Sequence, residues 1–167
     1  DYSILFSELD TLMAAQLPQM ELYREIGRVV SGRSEKGAAV AASEYLQAAY
    51  PAAEGFSPRN LRRMRAFYAA YEASPEIMRL AMNLGWTQNV AILERCSSNE
   101  ERVWYIRAVL HFGWKKAKLL AAIESQAWLH SSLDEQALSC YTEEKEVTQE
   151  SESDDKEITT PFARKSA

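Results

Sequence analysis

Twice the chain places a serine directly before a proline at the head of an apolar run with helical spacing: Ser57-Pro58 and Ser74-Pro75. A serine hydroxyl can accept a bond from the free N–H groups of a first helical turn. A proline at the first helical position loses no hydrogen bond, because its missing N–H would have no partner there. These signals start helices, predicted over 58–72 and 75–84. The rest of the chain reads the same way. Ile4, Leu5, Leu9, Leu12 and Met13 are spaced for a helix over 3–15. Pro18 ends that run and opens another over 18–31, with Leu22, Ile26, Val29 and Val30 on one side and Gly32 at its end. Residues 36–50 are alanine-rich, which favours helix. Thr87 can cap a short helix reaching Cys96. Ser98 to Glu101 has the spacing of a capping box for a helix through Phe112. Gly113 breaks that helix before a last one over 114–129.

No stretch between turn signals alternates with period two, so no strand is predicted. Six Gly and five Pro in 167 residues are too few for a turn-rich sandwich. With 47% hydrophobic residues the chain can bury an ordinary core. The expectation is an all-α fold: a compact multi-helix bundle over 1–133, followed by an acidic tail over 134–167.

Charge separates those two parts. Residues 134–167 hold ten acids against four bases, a net charge of −6, which leaves residues 1–133 at +1 within a total of −5. The acidity of the whole chain therefore does not argue against a polyanionic partner for its body. After Leu138 the composition is mostly Glu, Ser, Thr and Asp, which predicts a flexible segment. No apolar run approaches the roughly 18 residues of a membrane span. The first residues do not read as a secretory leader. Cys96 and Cys140 are read as reduced thiols, with a disulfide between them as the alternative. Together these predict a cytoplasmic protein with no membrane partner.

The candidate chemistry is basic. Arg59, Arg62, Arg63 and Arg65 fall in one helix, with no acid between Gly55 and Tyr71. At about 100° per residue, Leu61, Met64, Phe67, Tyr68 and Tyr71 share one side, while Arg59, Arg62 and Arg63 share the other. An arginine fork suits phosphate. Lys115, Lys116 and Lys118 form a second cluster beside Trp114, with Arg107 and His111 just before it. Neither His111 nor His130 has a ligand-type neighbour at metal spacing, so no metal or cofactor is expected. No nucleophile elbow, phosphate loop or zinc-protease motif occurs, and no enzyme is expected.

The run Gly55-Phe56-Ser57-Pro58-Arg59-Asn60-Leu61-Arg62-Arg63-Met64-Arg65-Ala66-Phe67-Tyr68 resembles the N-terminal domain of YhcG-type PDDEXK nucleases, a domain of unknown function. That family shows a G-F-S-x-R-N-L-x-x-M-R-x-F-Y core. Tyr23 to Gly27 resembles its Y-x-x-I-G segment, Leu84 to Gln88 its L-S-W-S-H step, and Glu101 to Tyr105 its E-x-R-x-F-Y run. The resemblance covers residues 18–128. Gln88 stands where the family has histidine, and the alanine-rich third helix lacks the family's Tyr-Gly. No counterpart of the nuclease domain is read in these residues. The resemblance implies a helical, helix-turn-helix-like, DNA-binding module of bacterial type. The expected function is therefore non-catalytic DNA binding by a regulator or accessory protein linked to mobile elements or defence nucleases. Arg59, Asn60, Arg62, Arg63, Lys115, Lys116 and Lys118 would be the contacts. The alternative is an interaction module whose partner is a nuclease relative or a second copy of this chain.

Overall fold

A computed structural model describes residues 1–130; the acidic segment and Cys140 lie outside them, and with them the expectation of a flexible tail. Every regular element among the described residues is an α-helix. The helices form two units, one over 1–74 and one beginning at Pro75.

The first unit holds α1 (Ser3–Ala14), α2 (Gln19–Ser31), α3 (Ala38–Ala49) and α4 (Pro58–Tyr71). Its core is the apolar side of each helix: Leu5 and Leu9, Leu22 and Ile26, Ala42 and Leu46, Leu61, Met64 and Phe67. α2 and α4 approach closely because Gly27 has no side chain. A Cβ built there would stand 2.2 Å from the Met64 carbonyl oxygen and 3.1 Å from the Tyr68 Cβ. α1 is tied to α3 by Asp10, whose carboxylate accepts from the Tyr45 hydroxyl at 2.6 Å and the Tyr50 hydroxyl at 2.7 Å. Burial, and then the bond to Asp10, pushes the Tyr50 phenol up to about 12.

The connection between α3 and α4 is residues 50–57, longer than the three or four residues of a standard helix-turn-helix turn. Tyr68, expected in the core, is half-buried, whereas Leu61, Met64, Phe67 and Tyr71 are fully buried. The Tyr68 Cβ faces α2, 3.1 Å from where a Cβ on Gly27 would stand.

The second unit holds α5 (Pro75–Ala81), α6 (Trp86–Arg95), α7 (Asn99–Phe112), α8 (Lys116–Glu124) and α9 (Ala127–His130). α5 stops short of the expected residue 84, and the Asn89 amide donates to the Ala81 carbonyl at 2.9 Å. α6 starts before Thr87, capped from inside: the Gly85 N–H donates to the Gln88 side chain at 2.8 Å. Ser98 caps α7 as expected, its hydroxyl accepting from the Glu101 N–H at 3.2 Å. The Glu101 carboxylate, however, accepts from the Ser97 N–H. The helix predicted over 114–129 is two helices, broken at Gln126, which takes the left-handed conformation with φ 56°. Cys96 is buried and unbridged; burial, then the nearby Glu101 carboxylate, pushes its thiol up to about 12.

Candidate nucleic-acid interface

The start of α4 is fixed by contacts from α2 and α3 and by bonds within its own turn. Gly55 turns the chain with φ +94°, a conformation that favours glycine, and a Cβ there would stand 2.3 Å from the Tyr23 hydroxyl. Phe56 is buried against Tyr23 in an edge-on ring contact. Its carbonyl accepts from the Ser43 hydroxyl at 2.6 Å and the Gln47 amide at 2.9 Å. Ser57 then caps the helix, its hydroxyl accepting from the Asn60 N–H at 3.1 Å. The Asn60 side chain reaches back and donates to the Gly55 carbonyl at 2.6 Å. The helix cannot slide or rotate without breaking several of these bonds. Burial, opposed by a bond with Gln19, pushes the Tyr23 phenol up to about 12, in keeping with its place under this turn.

The cations of α4 have different surroundings. Arg65 is half-buried and donates to the Glu35 carbonyl at 3.2 Å. Arg63 is half-buried and has a partner within the chain. Asn60 serves the turn. Arg59 and Arg62 are exposed, and among the described residues they make no hydrogen bond or ion pair. They lie three residues apart on one face, and that face continues through the exposed Ala66 and Ala69 before the first acid, Glu72. Of the four residues expected on α4 as contacts, the fold therefore presents two without an intramolecular duty. Elsewhere in this unit arginines are balanced: Glu25 pairs with Arg24 at 3.0 Å and with Arg28 at 2.8 Å. Burial raises the Glu25 carboxyl, but the two arginines outweigh it and hold the group below its ordinary value.

The lysine cluster belongs to the second unit. Lys115 is the residue before α8, Lys116 opens it, and Lys118 follows; all three are exposed. No acid stands in the first turn of α8. Cations there oppose the helix dipole, so they disfavour this helix end by a few tenths of a kcal/mol. Just before them, Gly113 closes α7 in the left-handed conformation with φ 67°. The Trp114 ring lies stacked on Phe112, with centroids 5.3 Å apart and planes 15° apart. The ring pair is not legible from spacing alone, since it depends on the turn at Gly113. The Trp114 carbonyl accepts from the Gln88 amide at 2.7 Å. Gln88, which replaces the histidine of the resembling motif, is thus a buried strut between α6 and the start of α8. His111 is half-buried, and burial, then Arg107, holds its imidazole below the ordinary value. Among the described residues no group of three or more His, Cys, Asp or Glu is gathered so as to hold a metal ion. Among them, too, no helix is long and apolar enough to cross a membrane.

A family model described as the DUF1016 N-terminal domain matches residues 7–130. That span takes in residues of both units. No curated protein and no solved structure matches the chain.

Proposed function

The chain belongs to the DUF1016 N-terminal domain family, and we propose that it is a non-catalytic module that binds DNA through α4. The observation that carries this reading is the exposed pair Arg59 and Arg62 on a helix whose start is pinned by Tyr23, Ser43, Gln47, Ser57 and Asn60. A fixed helix sets where the two arginines project, so less backbone freedom is lost on binding. Ala66 and Ala69 extend the same face without bulk, which lets the helix come close to a phosphate backbone or into a groove. In the second unit, Lys115, Lys116 and Lys118 are a separate group of cations suited to backbone phosphates. Arginine and lysine hold and position phosphates, and it is binding of the duplex, not its cleavage, that these side chains support. Its place beside nucleases or mobile elements follows from the family resemblance.

The test is a duplex-binding titration of the full chain at two salt concentrations, with Arg59→Ala/Arg62→Ala as the comparison. Both residues are exposed, so stability should stay within about 0.5 kcal/mol. Affinity should fall, and the dependence of log K on log salt should flatten by about 1.8, the loss of two phosphate contacts. Duplex binding that is absent at low salt, or unchanged in the double variant, would reject α4 as the contact helix.

A further inference from the structure

The segment from Arg102 to Ile123 holds five cations and no carboxylate. Inside it, three aromatic rings are held in place while keeping part of their surface. Trp114 stacks on Phe112, and Trp104, one ring further along α7, lies 6.5 Å from Trp114 with planes 53° apart. Trp104, Phe112 and Trp114 are each half-buried, whereas Tyr105, Ile106, Leu119 and Ile123 of the same helices are buried. The rings therefore stand at the edge of the unit's core and are not its filling. The Gly113 turn and the bond from buried Gln88 to the Trp114 carbonyl fix the pair. Lys115, Lys116 and Lys118 follow directly and are exposed.

We propose that the Trp104, Phe112 and Trp114 rings with Lys115, Lys116 and Lys118 form a binding surface for single-stranded nucleic acid. Unpaired bases stack on the open ring surface and the lysines meet the phosphates. The inference rests on the reading of this protein as a nucleic-acid binder and adds the form of the strand. A duplex hides its base faces, so it can use the lysines but not the rings. An acidic peptide likewise would pair with the lysines and leave the rings idle, since the negative face of an aromatic ring repels a carboxylate. Only a ligand with both planar faces and regular negative charge uses everything this surface offers.

The test uses the full chain and three end-labelled probes of matched length: an oligothymidylate of about 15 nucleotides, an abasic phosphodiester chain, and a duplex. The oligothymidylate should bind about tenfold more tightly than the abasic chain, which has the same charge but nothing to stack. It should also quench tryptophan fluorescence, and the abasic chain should not. Lys115→Gln/Lys116→Gln/Lys118→Gln, all at exposed positions, should weaken both single-stranded probes. Trp114→Leu should abolish the preference for bases and leave the abasic affinity in place. Should that variant lose its helical circular dichroism, the quenching contrast in the native chain decides the matter. Equal binding of the oligothymidylate and the abasic chain, without selective quenching, overturns the proposal. If the duplex then still binds through Arg59 and Arg62, the reading of α4 survives alone; if no probe binds at low salt, both fail. Displacement of the oligothymidylate by equimolar polyglutamate would also overturn it, in favour of an acidic protein partner.

Discussion

Gly27 sets how closely α2 and α4 approach in the first unit. Any side chain there meets the Met64 carbonyl, a backbone atom that cannot rotate away. Gly27→Ala gains helix propensity in α2, worth under about 1 kcal/mol. It must nevertheless separate α2 from α4, and overpacking of this kind costs about 1–3 kcal/mol or more. The expected result is a lower urea midpoint with an unchanged slope. A stabilised variant would mean that the two helices can part freely. His111 gives a pH signature at the same scale. Its imidazole sits below the ordinary value of 6.5 because burial, and then Arg107, penalises the charged form. As pH falls, the unfolded chain binds the proton first, so the stability linked to His111 is complete above pH 6.5 and is lost through the lower folded value. Glu25 is also depressed, but from 4.5, so its contribution fades in a more acid window. Urea midpoints should therefore drop between pH 7 and pH 5, within the histidine range, and His111→Gln should reduce that drop. An identical drop in the variant would assign the effect elsewhere.

At the scale of the element, α4 is built from two kinds of residue. Leu61, Met64, Phe67 and Tyr71 attach it, and the segment from Gly55 to Asn60 sets where it begins. Ser57 has one local task, to accept from the Asn60 N–H. Ser57→Ala should cost about 1 kcal/mol, read as a shifted denaturation midpoint. A helix start that is also held by Asn60, Ser43 and Gln47 stays formed, so the variant should retain its helical circular dichroism. An unchanged midpoint would show that the cap contributes nothing beyond those bonds. Much of the motif from Gly55 to Tyr68 thus has a structural reason: a positive φ, a buried ring, a cap, a back-reaching amide and three buried side chains on α4. Arg59 and Arg62 are left over by that accounting, which is why the functional reading settles on them.

At the scale of the whole molecule, charge is the quantity that matters for a polyanionic ligand. The chain carries −5, of which residues 134–167 contribute −6. Those residues repel DNA phosphates at long range whatever conformation they take. Deleting residues 139–167 should tighten duplex binding several-fold at low ionic strength. The gain should shrink as salt shortens the screening length to about 8 Å near physiological strength. Equal affinities of the two chains at low salt would show that this charge is not felt at the binding surface.

The sequence by itself determined the helices and most of their ends. Ser57-Pro58, Ser98, Gly32 and Gly113 act through the backbone within a turn or so of themselves, and such effects are written in neighbouring residues. It also determined that α4 has an apolar side and a basic side, because helical angle follows from position. Tertiary structure decided which basic residues remain for a ligand. Arg65 is taken by the Glu35 carbonyl thirty positions away in the chain, and Gln88 by the Trp114 carbonyl twenty-six positions away. Asn60 looked like a contact residue until the turn at Gly55 gave its amide an acceptor. Tyr68 lies at a core angle yet is half-buried, because helical angle alone does not fix how far a neighbouring helix covers a side chain. Such pairings join segments brought near only by packing, and no local spacing rule contains them.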